Sequence, residues 1–469
     1  MTTGIDLFFF SSALLSLVLA FIFHAVVNVL KKNNQQDDSD SLNTISTYRK
    51  AFTFIAILLF LIYIGHKETV KYHLESHVME WLNLVVRWAH VVLGISWIGA
   101  SFYFIFLENS LNRTENLRDE LAGNLWAVHG GGFYYVEKYK TAPEQLPKTL
   151  HWFKYEAYFT WLSGFVLLTL VYYMNAKAFM IDPSVRNIST ETAIGIGIGT
   201  LIIGWLIYDL LCKTPLLHRK KLFAITGFFI LTAVSFFLSK MLSGRAAFMH
   251  VGALIGTIMA GNVFFTIIPS QKALVKAAKE GKPVNPDLGK YAGLRSLHNN
   301  YMTLPVIFVM ISNHFPSTFG NQYNWAVLAG LTLTSVAVRH FINLYEKGKY
   351  AIWILPFSVV ALVALVLVTA PSTKKIDAKN STPVSFAQVQ PIFMKRCIQC
   401  HSTNPSDDIQ KTAPNGIMFD TPDQIEKQKD RIMIRAVQTK TMPQANKTGI
   451  TEEEREMIGR WIEQGGKIN

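Results

Sequence analysis

The stretch Cys397-Ile398-Gln399-Cys400-His401 carries the most explicit chemistry in this chain. Two cysteines at this spacing, followed at once by histidine, form the attachment signature of a c-type haem. The thiols add to the porphyrin vinyl groups, and the adjacent imidazole becomes the proximal ligand of the iron. A zinc site would need a second ligand pair, and the remaining cysteine, Cys212, is far away in sequence. A redox dithiol of the thioredoxin kind wants a βαβ context, which is missing here. Haem iron in an electron-transfer protein commonly takes a methionine opposite the histidine, which raises its potential. Met442, in the turn-rich segment Thr441-Met442-Pro443, is the candidate; Met394, Met418 and Met433 compete with it. A helix is expected from Thr451, with Glu454 closing a capping box and Met457, Ile458, Trp461 and Ile462 along one face. Phe393 and Trp461 should pack the first and last helices of this unit together. Residues 384–469 therefore read as a small cytochrome c domain, and residues 371–383, rich in Lys, Ser, Thr and Asn, as its linker.

What must position this group is a chain of 469 residues, half of them apolar. Apolar runs of the length needed to cross a bilayer recur along residues 1–370. The candidate spans are 7–30, 51–66, 82–107, 154–174, 192–211, 222–239, 247–268, 301–314, 323–342 and 351–370. The expected fold is all-α: a polytopic membrane bundle of about 8–10 helices, followed by the haem domain. With the haem domain outside, the inner loops carry 22 Lys and Arg and the outer loops 6. That asymmetry is the positive-inside rule, and it accounts for the net charge of +13 without nucleic acid as a partner. The N-terminus has no cationic n-region and no small-residue cleavage site, so it reads as a retained helix. The span 301–314 is short and contains Pro305, which suggests a broken helix.

Two further groups of residues draw notice. The inner stretch 108–153 is long for a connection, and it joins His129 and three glycines to Glu137, Lys138 and many aromatics. The glycines would either let the backbone approach a ligand or simply make a turn. The second group comprises His90, His250 and His314, which fall toward the outer side of their spans. Intramembrane ionisable residues are costly, so a pair of these could ligate a haem b, with Arg87 on a propionate. Hydrogen-bonded helix packing is the plainer account of any one of them.

Four blocks carry a family resemblance. They are Leu-Trp-Ala-Val-His-Gly-Gly-Gly-Phe-Tyr-Tyr-Val-Glu-Lys-Tyr (125–139), Leu-His-Trp-Phe-Lys-Tyr-Glu-Ala-Tyr (150–158), Leu-His-Asn-Asn-Tyr-Met-Thr-Leu-Pro (297–305) and Arg-Trp-Ala-His-Val-Val-Leu-Gly-Ile-Ser-Trp-Ile-Gly (87–99). With the haem tail, the chain resembles the membrane-bound, cytochrome-c-fused urate oxidases of bacteria. The resemblance implies oxidation of urate to 5-hydroxyisourate without hydrogen peroxide. Electrons would leave through the haem c to a terminal cytochrome oxidase or a soluble cytochrome c. It further implies a multi-pass protein of the bacterial inner membrane with a periplasmic haem domain and membrane lipid around the bundle. Urate is a flat anion, and its site needs cations, amides and a base. His129, Glu137, Lys138, His151, Lys154, Glu156, Arg295, His298, Asn299 and Asn300 are the candidates. The contrasting reading is an electron carrier that takes electrons from quinol and has no urate site.

Overall fold

The computed structural model describes residue 53 and residues 75–283, 285–370, 382–407 and 410–468. The chain divides into two units, residues 1–84 and 85–469. The expected spans 7–30 and 51–66 lie outside the described residues, apart from Thr53. In the first unit the described turns open helix α1 (Glu75–Ser110), where His77 meets Trp81 edge to face.

In the second unit α1 runs on to a two-stranded antiparallel hairpin, β1 (Leu121–His129) and β2 (Gly132–Tyr139). This corrects the all-α expectation. His129 pairs with Gly132 across a two-residue turn, and both turn residues, Gly130 and Gly131, have positive φ (59° and 80°). Type I′ turns demand that conformation at both positions, and glycine supplies it without steric cost. The glycine run is thus a hairpin tip.

The bundle continues through α2 (Tyr155–Leu168, extended by a π turn at Thr169–Tyr173), α3 (Thr190–Leu211) and α4 (Lys220–Met241). Then come α5 (Gly244–Gly261), a π turn at Asn262–Ile267, and α6 (Ile268–Lys279). The bundle ends with α7 (Pro286–Ser312), α8 (Asn324–Tyr345) and α9 (Ile354–Thr369). Local sequence explains several boundaries. Ser189 and Ser243 accept a backbone N–H at the starts of α3 and α5, and Asn285 does so before Pro286 at the head of α7. Among the described residues five helices are long and apolar enough to cross a membrane, which is compatible with a membrane protein.

The short span expected at 301–314 is the second half of a 27-residue helix. Its first half, 286–300, is too polar to read as a span; several of its polar side chains, Arg295, Asn299 and Asn300, are buried against polar partners. Small residues let the helices approach closely. Gly204 faces Leu254, Gly252 faces Val309, and Gly261 faces the Trp205 ring, so a methyl group at any of them would collide. Helix α5 is the most enclosed, with Phe248, Val251, Leu254, Ile255 and Met259 in the main core.

Residues from 382 onward build a core of their own. Helices α10 (Phe386–Arg396) and α12 (Glu452–Glu463) pack through Phe393 and Trp461, whose rings meet at 6.1 Å, as expected from sequence. α11 (Pro422–Lys427) and Phe419 close the other side. The capping box of Thr451 and Glu454 is present.

Candidate functional site

In the C-terminal unit α10 ends at the first cysteine of the motif, and Cys397 receives its cap from the Phe393 carbonyl. The His401 ring touches Phe419, and its Nδ1 lies 2.9 Å from the Ile417 carbonyl. Nδ1–H therefore donates to that oxygen, which leaves Nε2 as a lone pair able to ligate a metal. Burial lowers the basicity of the His401 imidazole and pushes the Cys397 thiol up to about 12. Met442 is held from both sides of its backbone. Its N–H donates to Arg435 at 2.9 Å, and its carbonyl accepts from Arg455 Nη1 at 2.7 Å. Arg455 is itself buried and also reaches the Ala436 carbonyl. The segment bearing Met442 rests on one end of the bundle: Gln444 Nε2 donates to Ala178 at 3.0 Å, and Thr441 packs against Gly320.

The bundle interior holds two polar groups, back to back on α7. The first surrounds Arg295, whose Nη2 reaches Asp209 at 2.8 Å and Tyr291 at 2.6 Å, while Nη1 reaches Asn262 at 3.0 Å. Asn262 also donates to Asn299 (2.8 Å) and Tyr208 (3.0 Å), and Tyr208 meets His298 at 2.8 Å. The π turn beginning at Asn262 brings that amide into the group, a common location for such irregularities. The second group surrounds Arg339 of α8. Asn300 Oδ1 accepts from both Arg339 Nε (3.1 Å) and Asn343 Nδ2 (2.8 Å). The guanidinium covers the Phe102 ring at 4.2 Å. Arg339, Asn300 and Asn343 are 1%, 0% and 4% exposed. Three of their polar atoms, Arg339 Nη2, Asn300 Nδ2 and Asn343 Oδ1, have no hydrogen-bond partner among the described residues.

The structure therefore distributes the residues expected for a urate site. Arg295, His298 and Asn299 fall together, and Asn300 joins the second group. His129 stands exposed at the hairpin tip. Glu137 and Lys138 are engaged with Arg118 and Glu108. His151 is exposed against Phe153, and Lys154 lies over the Tyr155 ring at 4.9 Å. Glu156, in the first turn of α2, keeps one buried oxygen without a partner.

The three histidines considered for a haem b do not converge. His90 Nδ1 is bonded to Thr160 and Ser163 of α2, and His314 is exposed in the turn after α7. His250 is fully buried, with Nδ1–H on the Ala246 carbonyl and Nε2 unpartnered. A methyl group on Gly197 would stand 2.5 Å from that Nε2. Helix α3 thus packs directly onto the nitrogen and leaves no space for a porphyrin, so this arrangement does not fit a haem b. Arg87 lies within electrostatic range of Tyr172 and Arg245 near the same end of the bundle.

Sequence reading missed Arg339, Asn343, Asp209 and Asn262. The i, i+4 spacing of Arg339 and Asn343 on an apolar helix was the available signal for the first two. Neither the curated proteins nor the solved structures yield a match to this chain. The urate oxidase N-terminal family matches residues 76–370, well over half of the chain, from α1 to the end of α9, so the chain belongs to that family.

Proposed function

We propose that the bundle oxidises urate to 5-hydroxyisourate and that the electrons leave through a haem c on the C-terminal unit, with no hydrogen peroxide formed. The urate monoanion gives up two electrons and one proton to become dehydrourate, and water then adds to that product to give 5-hydroxyisourate. Cys397 and Cys400 would hold the haem by thioethers, and His401 and Met442 would ligate its iron. When bound, the group supplies a one-electron acceptor. The orientation of the His401 ring supports this, since the Ile417 carbonyl fixes the tautomer a metal needs. Arg455 and Arg435 steady the Met442 backbone.

The observation that carries the reading is the junction between the two parts. A family match for urate chemistry spans the bundle, and the Met442 segment rests on that bundle through Gln444 and Thr441. The loops it touches, around Ala178 and Gly320, are ones the charge distribution assigns to the outside. This supports a periplasmic haem unit on a bacterial inner-membrane protein, delivering to a terminal cytochrome oxidase or a soluble cytochrome c.

The test is an anaerobic reduced-minus-oxidised spectrum of the purified full chain with urate as sole reductant. C-type bands should appear on urate addition. Reduction by dithionite but not by urate would overturn the reading in favour of a quinol-fed carrier. In Cys397→Ala, with covalent haem lost, urate-dependent reduction of an added cytochrome should fall below a hundredth of wild type. Unchanged turnover in that variant would break the link between bundle and haem.

A further inference from the structure

A buried polar atom without a hydrogen bond costs free energy, and a buried charge without a counter-ion costs more. The group around Arg339 combines both. Among the described residues no carboxylate lies within ion-pair distance of this guanidinium, although it is only 1% exposed. Among the described residues Asn300 Oδ1, a neutral acceptor, is the hydrogen-bond partner found for its side chain; the Phe102 ring faces it, and the Glu346 carboxylate acts on it from beyond ion-pair distance. Around the same point stand the unpartnered Nη2 of Arg339, Nδ2 of Asn300 and Oδ1 of Asn343. Three helices supply these groups and the ring: α1 gives Phe102, α7 gives Asn300, and α8 gives Arg339 and Asn343.

The three free atoms are two donors and one acceptor, set beside a positive charge that no carboxylate touches and that Glu346 offsets only from beyond ion-pair distance. An occupant that satisfies them is an anion presenting two acceptors and one N–H. The six-membered ring of urate has such an edge, with an imide N–H flanked by two carbonyls, and urate is a monoanion at neutral pH. We infer that Arg339, Asn300 and Asn343 form the site that binds urate through this imide edge. The assignment rests on the urate reading above and names the residues that reading lacks. Arg339 supplies the charge and one donor, Asn300 the second donor, and Asn343 the acceptor for the imide N–H. The Asn343-to-Asn300 hydrogen bond orients both amides, so the acceptor and donor are held ready before urate arrives.

A cleft opens at the end of the helices that carry these groups. One turn beyond Asn343, Asn109 of α1 donates to Glu346 at 2.8 Å. Beside it lies a cleft of about 570 Å³, lined by Glu108, Asn109, Arg113 and Lys347 among others. Lys347 stands in the turn that follows α8, so the cleft lies at the end of the helix that carries Arg339 and Asn343.

The decisive variant is Asn343→Asp in the full-length, haem-loaded protein. It keeps the side-chain size and gives Arg339 a carboxylate in its immediate surroundings, nearer than Glu346, and Asn300 can turn its amide to donate to the new carboxylate. A purely structural role predicts a protein at least as stable that binds urate like wild type. The binding role predicts a folded protein whose urate affinity, read by anaerobic equilibrium dialysis, falls at least tenfold, because charge and acceptor are both consumed. Dialysis does not depend on turnover. If wild type binds urate without reducing haem, the oxidation reading fails while the site stands; if Asn343→Asp binds as wild type does, the site fails. Should the variant not fold, 1-methylurate decides on the wild-type protein. Blocking the imide nitrogen should weaken competition with labelled urate tenfold or more, and equal competition overturns the assignment. Failure of wild type to bind urate at all overturns both.

Discussion

Two buried arginines sit on neighbouring helices of one bundle, each 1% exposed, and their surroundings are opposite. Arg295 is bonded at both terminal nitrogens, by Asp209, Tyr291 and Asn262, and its charge is neutralised at 2.8 Å, so that among the described residues only its Nε is left without a hydrogen bond. Arg339 has one amide oxygen and an aromatic face. The first arrangement is what a stable protein makes of an unavoidable buried cation. The second is what a protein keeps when something else will complete it. The difference teaches that burial alone does not mark a site; the unfilled complement of a buried group does.

The comparison can be broken by exchanging the two situations. Asp209→Asn would strand Arg295 as Arg339 is stranded. Removing one partner of a buried pair costs about 3–5 kcal/mol, so denaturant unfolding in detergent should show a loss of that order. An unaltered midpoint would mean that Asp209 does not neutralise Arg295. Tyr291→Phe removes one hydrogen bond to the same charge and should cost about 1.5–3 kcal/mol by the same measurement. Arg339→Met is expected to change stability by no more than about 1 kcal/mol, because no contact ion pair is lost and removal of a desolvated charge offsets the lost hydrogen bond to Asn300. A drop comparable with that of Asp209→Asn would show that Arg339 is structural after all.

Much of this was readable in the chain before any coordinates. Apolar stretches at 192–211 and 222–239 could only be helices, and the Cys397–His401 motif with the Thr451–Glu454 cap outlined the C-terminal unit. Asn300 was picked out as a urate candidate. Its partners were not, for identifiable reasons. Arg339 sits near the end of an apolar span, where a cation is easily counted with the following loop, and only packing against Asn300 and Phe102 reveals its burial. The first half of α7 is polar because its partners are polar, and hydropathy cannot see partners. The hairpin at 121–139 was hidden by Trp126, Phe133 and Tyr134, which resemble an interfacial belt although they are exposed on strands. Its two glycines in alternating surroundings were a sufficient hairpin signal.

The contact of Gln444 with Ala178 and of Thr441 with Gly320 joins two parts of a single polypeptide. A separate carrier would have to find this surface by diffusion, at a rate set by how much of it the compartment contains. Here the encounter is intramolecular, governed by a tethered effective concentration that dilution does not touch. On the proposed reading, transfer across this junction should therefore be first order and indifferent to protein concentration, with only the step that leaves the chain bimolecular.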